Sequence, residues 1–464
     1  MPQVLTCLLT APAADTVPLT LLTKDALDGW LASAPAAEAA WVRRLGFTAA
    51  PGSTALIAGA DGALVRVLVG VADKVDIWSL AGLPGSLPAG SYTIETALEP
   101  ANATAVATGW ALACYQFTRY KKSTKSFASL VLPANADAAT VERFVRSAYL
   151  VRDLVNTPCE DMGPPELASV AEALAKEYGA SFSVIVGDDL LAQNYPMIHA
   201  VGRAAAKAPR LIDIRWGDAA HPLVTLVGKG VCFDTGGLDI KPAASMLMMK
   251  KDMGGGAHAL ALARLVMDAQ LPVRLRVLVP AVENAVAGNA FRPMDIIPTR
   301  KGLTVEIGNT DAEGRLILCD ALAEADGEKP ALLLDFATLT GAARVALGAD
   351  LPALFSNDDK LAAEIAAEAA ATDDPLWRLP LWQGYRPQLD SKIADLNNAP
   401  GGGMAGAITA ALFLEQFVSK DTAWAHVDLY SWNASTRPGR PEGGEAMTLR
   451  AFFNVIAKRF PPVA

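Results

Sequence analysis

From residue 160 onward the chain alternates helix-like stretches with short, nearly continuous apolar runs, and this rhythm constrains the fold more than any other feature. "SFSVIVG", "RLIDIRW", "PLVTLVG", "VRLRVLVP" and "ALLLDFA" read as strands. "PPELASVAEALAKEYG", "GAHALALARLVMDA" and "LILCDALAEAD" read as helices between them. Strands apolar on both faces belong in a sheet covered on both sides. The strand–helix rhythm then predicts an α/β domain, doubly wound around a mostly parallel central sheet. In such a sheet ligands bind outside the carboxyl ends of the strands, which is where the charged residues of this chain gather.

A chain of 464 residues exceeds one ordinary core, so two domains are expected. Residues 1–137 read as a smaller N-terminal α/β domain, with a hairpin in "TALIAGADGALVRVLVGV" turned at Asp61-Gly62. No chemistry-bearing cluster occurs there. Residues 138–156 read as a linking helix, N-capped by Asp137, with apolar positions Val141, Phe144, Val145, Ala148, Val151 and Val155 and a stop at Asn156-Thr157-Pro158. Residues 157–464 read as the larger α/β domain, the one that carries the charged loops.

Composition removes several function classes. Hydrophobic residues make up 52% and charged residues 19%, the balance of a well-packed chain. A net charge of -9, with no run of Lys or Arg longer than two, offers no electrostatic footprint for nucleic acid. The five cysteines are scattered without a CxxC pair, which points to a reducing compartment, the cytoplasm. No positive residue precedes the first apolar run, as a secretory signal requires. The uncharged stretch Leu396 to Leu414 contains Asn, Pro and a triple glycine, and reads as a buried loop and helix instead of a membrane span.

The chemistry gathers in two loops. "GKGVCFDTGGLDIKPAASMLMMKKDMGGG" carries Lys229, Asp234, Lys241 and Asp252 among glycines that let backbone approach a ligand. "NTDAEGRL", residues 309–316, adds Asp311, Glu313 and Arg315 at alternate positions, which an extended segment would project to one face. Adjacent carboxylates repel unless something positive sits between them, either Arg315 alone or a cation. Asp234, Asp252, Asp311 and Glu313 match the acidic count that two divalent cations need. The four histidines, His199, His221, His258 and His426, form no HExxH pair, which excludes a single-metal zinc protease of that type. The glycine loop also lacks the GxxxxGK[ST] spacing of a phosphate cradle. Asp239, Lys250 and Lys251 read as solvated or capping residues, Asp335 as a helix cap in preference to a ligand, and His426 as a core histidine.

With "NTDAEGRL" intact and Lys229, Asp234, Lys241 and Asp252 spaced by five, seven and eleven residues, the chain resembles the leucyl (cytosol) aminopeptidase family of di-metal exopeptidases. The resemblance covers residues 140 to 460 and the two-domain layout. It implies two divalent ions, Zn2+ or Mn2+, bridged by Asp234 and Glu313, with Lys229 and Asp252 completing one site and Asp311 the other. It implies that a metal-bridged hydroxide attacks the first peptide bond of short peptides, that Lys241 stabilises the oxyanion, and that Arg315 holds a bicarbonate ion acting as general base. Backbone of Gly314 and Leu339 would complete that anion site. Met249, Thr338 and Gly341 would line an apolar pocket for the first side chain, and the resemblance further implies a homohexamer.

The chain departs from the family after "WAHVDL", where Tyr430-Ser431-Trp432-Asn433 stand near the expected pocket floor in place of small residues. That bulk speaks against strict leucine preference. A DNA-binding regulatory or architectural protein on the same scaffold conflicts with the acidic charge, and a di-metal phosphoesterase conflicts with the intact octapeptide.

Overall fold

The computed structural model of the protein describes residues 5–461. It divides into two compact units, one running to Tyr149 and including Ala434–Glu442, the other Leu150–Asn433 with the residues from Gly443 onward.

In the first unit a six-stranded sheet takes the order Leu8–Leu9, Ser129–Val131, Ser91–Ile94, Val17–Leu22, Leu64–Gly70 and Thr54–Ala58. Only the last pair is antiparallel, and it is the hairpin read from the sequence. Gly62 turns it with φ of +83°, and Asp61 Oδ1 accepts from Ala63 N at 3.0 Å. The helix Ala138–Asn156 begins at the expected cap, where Asp137 accepts from Thr140 N at 3.1 Å and Thr140 Oγ1 at 2.6 Å. The division between units falls inside this helix, after Tyr149.

The second unit is built on a nine-stranded sheet. Its centre is four parallel strands, Trp424–Asp428, Leu332–Ala337, Leu223–Gly228 and Arg274–Asn284, with Gly230–Asp234 parallel to the far half of the last. The flanks reverse: Ala353–Ser356 lies antiparallel to Trp424–Asp428, and Arg210–Trp216 and Ser181–Val186 continue antiparallel on the other side. Ser181–Val186 is an edge strand with no fully buried residue, so its apolar sequence does not mean coverage on both faces. Helix Gly254–Asp268 lies against the centre, buried throughout to Met267. It comes this close because it begins with glycines: a Cβ on Gly255 would stand 2.1 Å from Phe336 O.

Two sequence expectations are corrected. Asp335 is no helix cap: it sits fully buried inside the strand Leu332–Ala337, where Oδ1 meets His426 Nδ1 at 2.5 Å and Oδ2 accepts Trp424 Nε1 at 2.7 Å. His426 is buried as expected, with Nε2 lacking a hydrogen-bond partner. In Leu396 to Leu414 the helix Gly406–Glu415 is largely buried, but the glycine loop before it is exposed, Met404 to 87%. Among the described residues no helix is long and apolar enough to cross a membrane.

Candidate active site

The charged loops converge at the carboxyl edge of the parallel centre. Lys229 follows Leu223–Gly228, Asp234 and Asn284 end their strands, Thr338 follows Leu332–Ala337, and Asp428 ends Trp424–Asp428. Asp252 comes from a short 3-10 helix, Met249–Met253. "NTDAEGRL" is not extended, contrary to the sequence reading. Asn309 Oδ1 accepts from Asp311 N at 2.7 Å in a tight turn, and a helix, Glu313–Gly327, starts two residues later. Turn and first helical turn bring the acids to the site.

The cations between these acids are lysines. Lys229 Nζ stands 2.7 Å from Asp252 Oδ2 and 3.0 Å from Glu313 Oε1, and donates to Thr338 O at 2.9 Å. Lys241 Nζ stands 2.8 Å from Asp234 Oδ2 and also pairs with Asp311. Arg315, the sequence candidate for this task, donates through Nη1 to Asn398 O at 2.6 Å, and its buried Nε has no hydrogen-bond partner.

Two lysines do not balance four carboxylates, three of them buried. Burial, reinforced by the charge of Asp234, pushes Glu313 up to about 8 and Asp311 up to about 6. Burial opposes the charged form of both lysines, yet their acidic neighbours hold them above the usual range. Oxygens of Asp234, Asp252 and Glu313 lie within 4.8 Å of one another, and Glu313 Oε2 is buried without a hydrogen-bond partner. Buried acceptors are rarely left unpaired. This donor set, all carboxylate oxygen apart from the lysines, fits divalent cations.

A supporting layer escaped the sequence reading. Asn284 Nδ2 donates to Asp234 Oδ1 at 2.8 Å, and Thr338 Oγ1 donates to Asp252 Oδ1 at 2.7 Å. Thr338, expected in the substrate pocket, lines the cavity but commits its hydroxyl to holding Asp252. Asp239, read as a solvated or capping acid, ties the two loops by accepting Thr310 N at 2.8 Å. Asp428 accepts Leu339 N at 2.9 Å, so the Leu339 amide is already engaged. Gly314 is glycine for a local reason: a Cβ there would meet Lys229 Cε at 2.6 Å.

Lys229, Asp234, Lys241, Asp252, Asp311, Glu313, Arg315 and Thr338 edge one cavity of about 580 Å³. Met249, Gly341 and Tyr430 line it as expected. Trp432 does not: its ring lies under Lys250, with Nζ 5.5 Å from the centroid. Lys251, read as solvated or capping, is buried to 5% exposure and lines the cavity.

Comparison with known proteins identifies the chain. The catalytic-domain model of the cytosol aminopeptidase family matches residues 149–453, and the model of the M17 aminopeptidase N-terminal domain matches residues 17–133. The chain belongs to the cytosol aminopeptidase family. Peptidase B of Serratia proteamaculans is 42% identical over 76% of this chain and 84% of its own length. The probable cytosol aminopeptidase of a Geobacter species is 40% identical over 76% and 75%. The crystal structure of cytosol aminopeptidase from Coxiella burnetii superposes with a TM-score of 0.95 at 49% identity, covering 98% of this chain and 99% of that one. The bottromycin maturation enzyme BotP in complex with Mn superposes at 0.86 and 32% identity, covering 96% and 100%.

As a member of this family the protein is a metal-dependent aminopeptidase, a hydrolase of peptide bonds. Its N-terminal α/β unit, which carries none of the charged loops, and its larger catalytic unit reproduce the two-domain family fold.

Proposed function

We propose that the protein removes the first residue of short peptides in the cytoplasm, as a homohexamer holding two divalent ions, Zn2+ or Mn2+, per chain. Asp234 and Glu313 would be shared between the ions, Asp252 and Lys229 would belong to one and Asp311 to the other. The observation that carries this reading is the partnerless Oε2 of Glu313 inside a buried three-carboxylate cluster. The manganese complex of BotP, a structural relative, agrees with it. Ions bound there would supply an acidified water and an electrophile for the peptide carbonyl.

The chain's own residues account for the rest. Lys229 is an ammonium between two acids here, and would have to lose its proton to act as a ligand. Lys241 carries three N–H donors and spends them on only two carboxylates, which leaves one for the oxygen where charge develops. Arg315 keeps an unspent, buried Nε, and burial lowers its guanidinium to about 10. That unspent N–H suits a bicarbonate ion serving as general base, with Gly314 at the start of its helix beside it and the Leu339 amide shared with Asp428. Met249, Gly341 and the methyl of Thr338 would give the first side chain an apolar wall, and an apolar first residue would be preferred on that account.

Calorimetric titration of chelator-stripped protein with Mn2+ tests the site directly. Two ions per chain are expected, with binding reduced to one or none in Glu313→Ala. A wild-type protein that takes up no ion, or a variant that binds as the wild type does, would overturn the assignment.

A further inference from the structure

The N-terminal unit, which supplies none of the carboxylate cluster, holds a pair of cysteines that are far apart in sequence. Cys7 immediately precedes the strand Leu8–Leu9, and Cys114 caps the carboxyl end of the helix Pro100–Ala113. The strand Ser129–Val131 brings them together. Leu130 N donates to Cys7 O at 2.8 Å, and Ala128 O, just before that strand, accepts Trp110 Nε1 of the helix at 3.1 Å. Both cysteines are 8% exposed, both line one cavity of about 540 Å³, and their side chains are hydrogen-bonded to each other. Lys125 lines the same cavity, with Nζ 4.8 Å from the Phe127 ring centroid.

These two thiols differ from the other three. Burial raises Cys159 to about 12 and pushes Cys232 and Cys319 well above the usual thiol range. Cys7 alone is held below that range, by the hydrogen bond from Cys114, while the same contact and burial raise Cys114. One sulfur of the pair is therefore ready to attack, and the other stands beside it to resolve the product. The cavity gives a small oxidant access to both, and the charge of Lys125 favours a thiolate there by opposing the rise at Cys114.

We propose that Cys7 and Cys114 are a modification site, a dithiol that a hydroperoxide entering this cavity oxidises to an intramolecular disulfide. With hydrogen peroxide, the Cys7 thiolate attacks one oxygen and the O–O bond breaks; hydroxide leaves and takes up the proton Cys7 gave, as water. The Cys114 sulfur then attacks the Cys7 sulfenic sulfur, the S–O bond breaks as the S–S bond forms, and hydroxide carries off the Cys114 proton as a second water. Two thiols lose two electrons, and one peroxide gains them. The new bond pins the edge of the sheet. Leu8–Leu9 is the end strand, two residues long and paired with Ser129–Val131. The disulfide ties it to a helix whose Trp110 is fully buried. A thiol reductant reverses the reaction by exchange.

The experiment uses the full chain and does not depend on turnover. Reduced wild type is treated with hydrogen peroxide, unfolded in denaturant and titrated with a thiol reagent, and its digest is read by mass spectrometry. Loss of two of the five thiols is expected, with a peptide linking Cys7 to Cys114 and recovery in dithiothreitol. In Cys114→Ser the resolving sulfur is gone, so a sulfenic acid trapped by dimedone at Cys7 is expected in place of the link. Hydrogen exchange reports the pinned edge: the Leu130 amide, held by Cys7 O, is expected to exchange about tenfold more slowly in oxidised wild type and to be unmoved by peroxide in Cys114→Ser. Five thiols surviving peroxide would overturn the proposal, as would thiol loss without the link, or a disulfide joining other cysteines or two chains. Unchanged Leu130 exchange in the linked protein would overturn the pinning of the strand.

Discussion

The two ends of the cavity use the same kinds of charge in opposite ways. At the strand ends each lysine sits between two acids, Lys229 between Asp252 and Glu313 and Lys241 between Asp234 and Asp311. At the other end Lys251 and Arg344 share the Tyr430 ring and have no acid between them. The difference teaches which end is short of a charge. The first has more carboxylate than cation and a buried oxygen without a partner, so it is short of positive charge. The second carries cations only, so a divalent ion finds its place at the first.

The sharpest way to break this contrast is to remove a cation from the acidic end. Lys241→Ala is expected to lower kcat roughly 10²–10³-fold, the cost of losing a donor aimed at developing negative charge; stopped-flow or steady-state rates with leucyl-p-nitroanilide measure it. A variant turning over at the wild-type rate would place Lys241 outside the chemistry. A milder change tests whether the acids need their supports. Thr338→Val keeps the shape but removes the hydroxyl that holds Asp252 Oδ1 at 2.7 Å, and about 10–100-fold weaker metal binding is expected. The same affinity in both proteins would show that Asp252 is positioned by Lys229 alone. Arg344→Gln, at the opposite end, has the smallest expected effect, since it should spare the metal site and leave Mn2+ titration as in the wild type.

The sequence revealed more of the site than of its surroundings, for physical reasons. Charges are scarce in this chain, so Lys229, Asp234, Lys241, Asp252, Asp311 and Glu313 stood out at strand ends, and the structure brings all six to one edge. What failed was local geometry: the alternation of Asp311, Glu313 and Arg315 suggested an extended segment, whereas an Asn309 turn and a helix start produce the convergence. The supporting roles are invisible in sequence because Asn284, Thr338 and Asn398 are common polar types whose importance comes from chain segments far apart in sequence; Thr338 is read there only as a pocket residue. Lys251 and Asp239 were misread for the same cause, a lone charge in a loop being ordinary until its neighbours are known. In the fold, apolar runs identified the parallel centre but could not separate a strand buried on both faces from the edge strand Ser181–Val186, and Asp335 inside a strand looked like a cap because its partners, Trp424 and His426, lie 89 and 91 residues away.

The central claim, that the acidic end works by holding divalent ions against the first peptide bond, has a direct test. Chelator-stripped protein is assayed on leucyl-p-nitroanilide and its N-acetyl derivative, with Mn2+ or Zn2+ restored separately. Hydrolysis returning with metal, and only for the substrate with a free amine, is the predicted result. Release that persists without metal, or equal cleavage of the acetylated substrate, would contradict it.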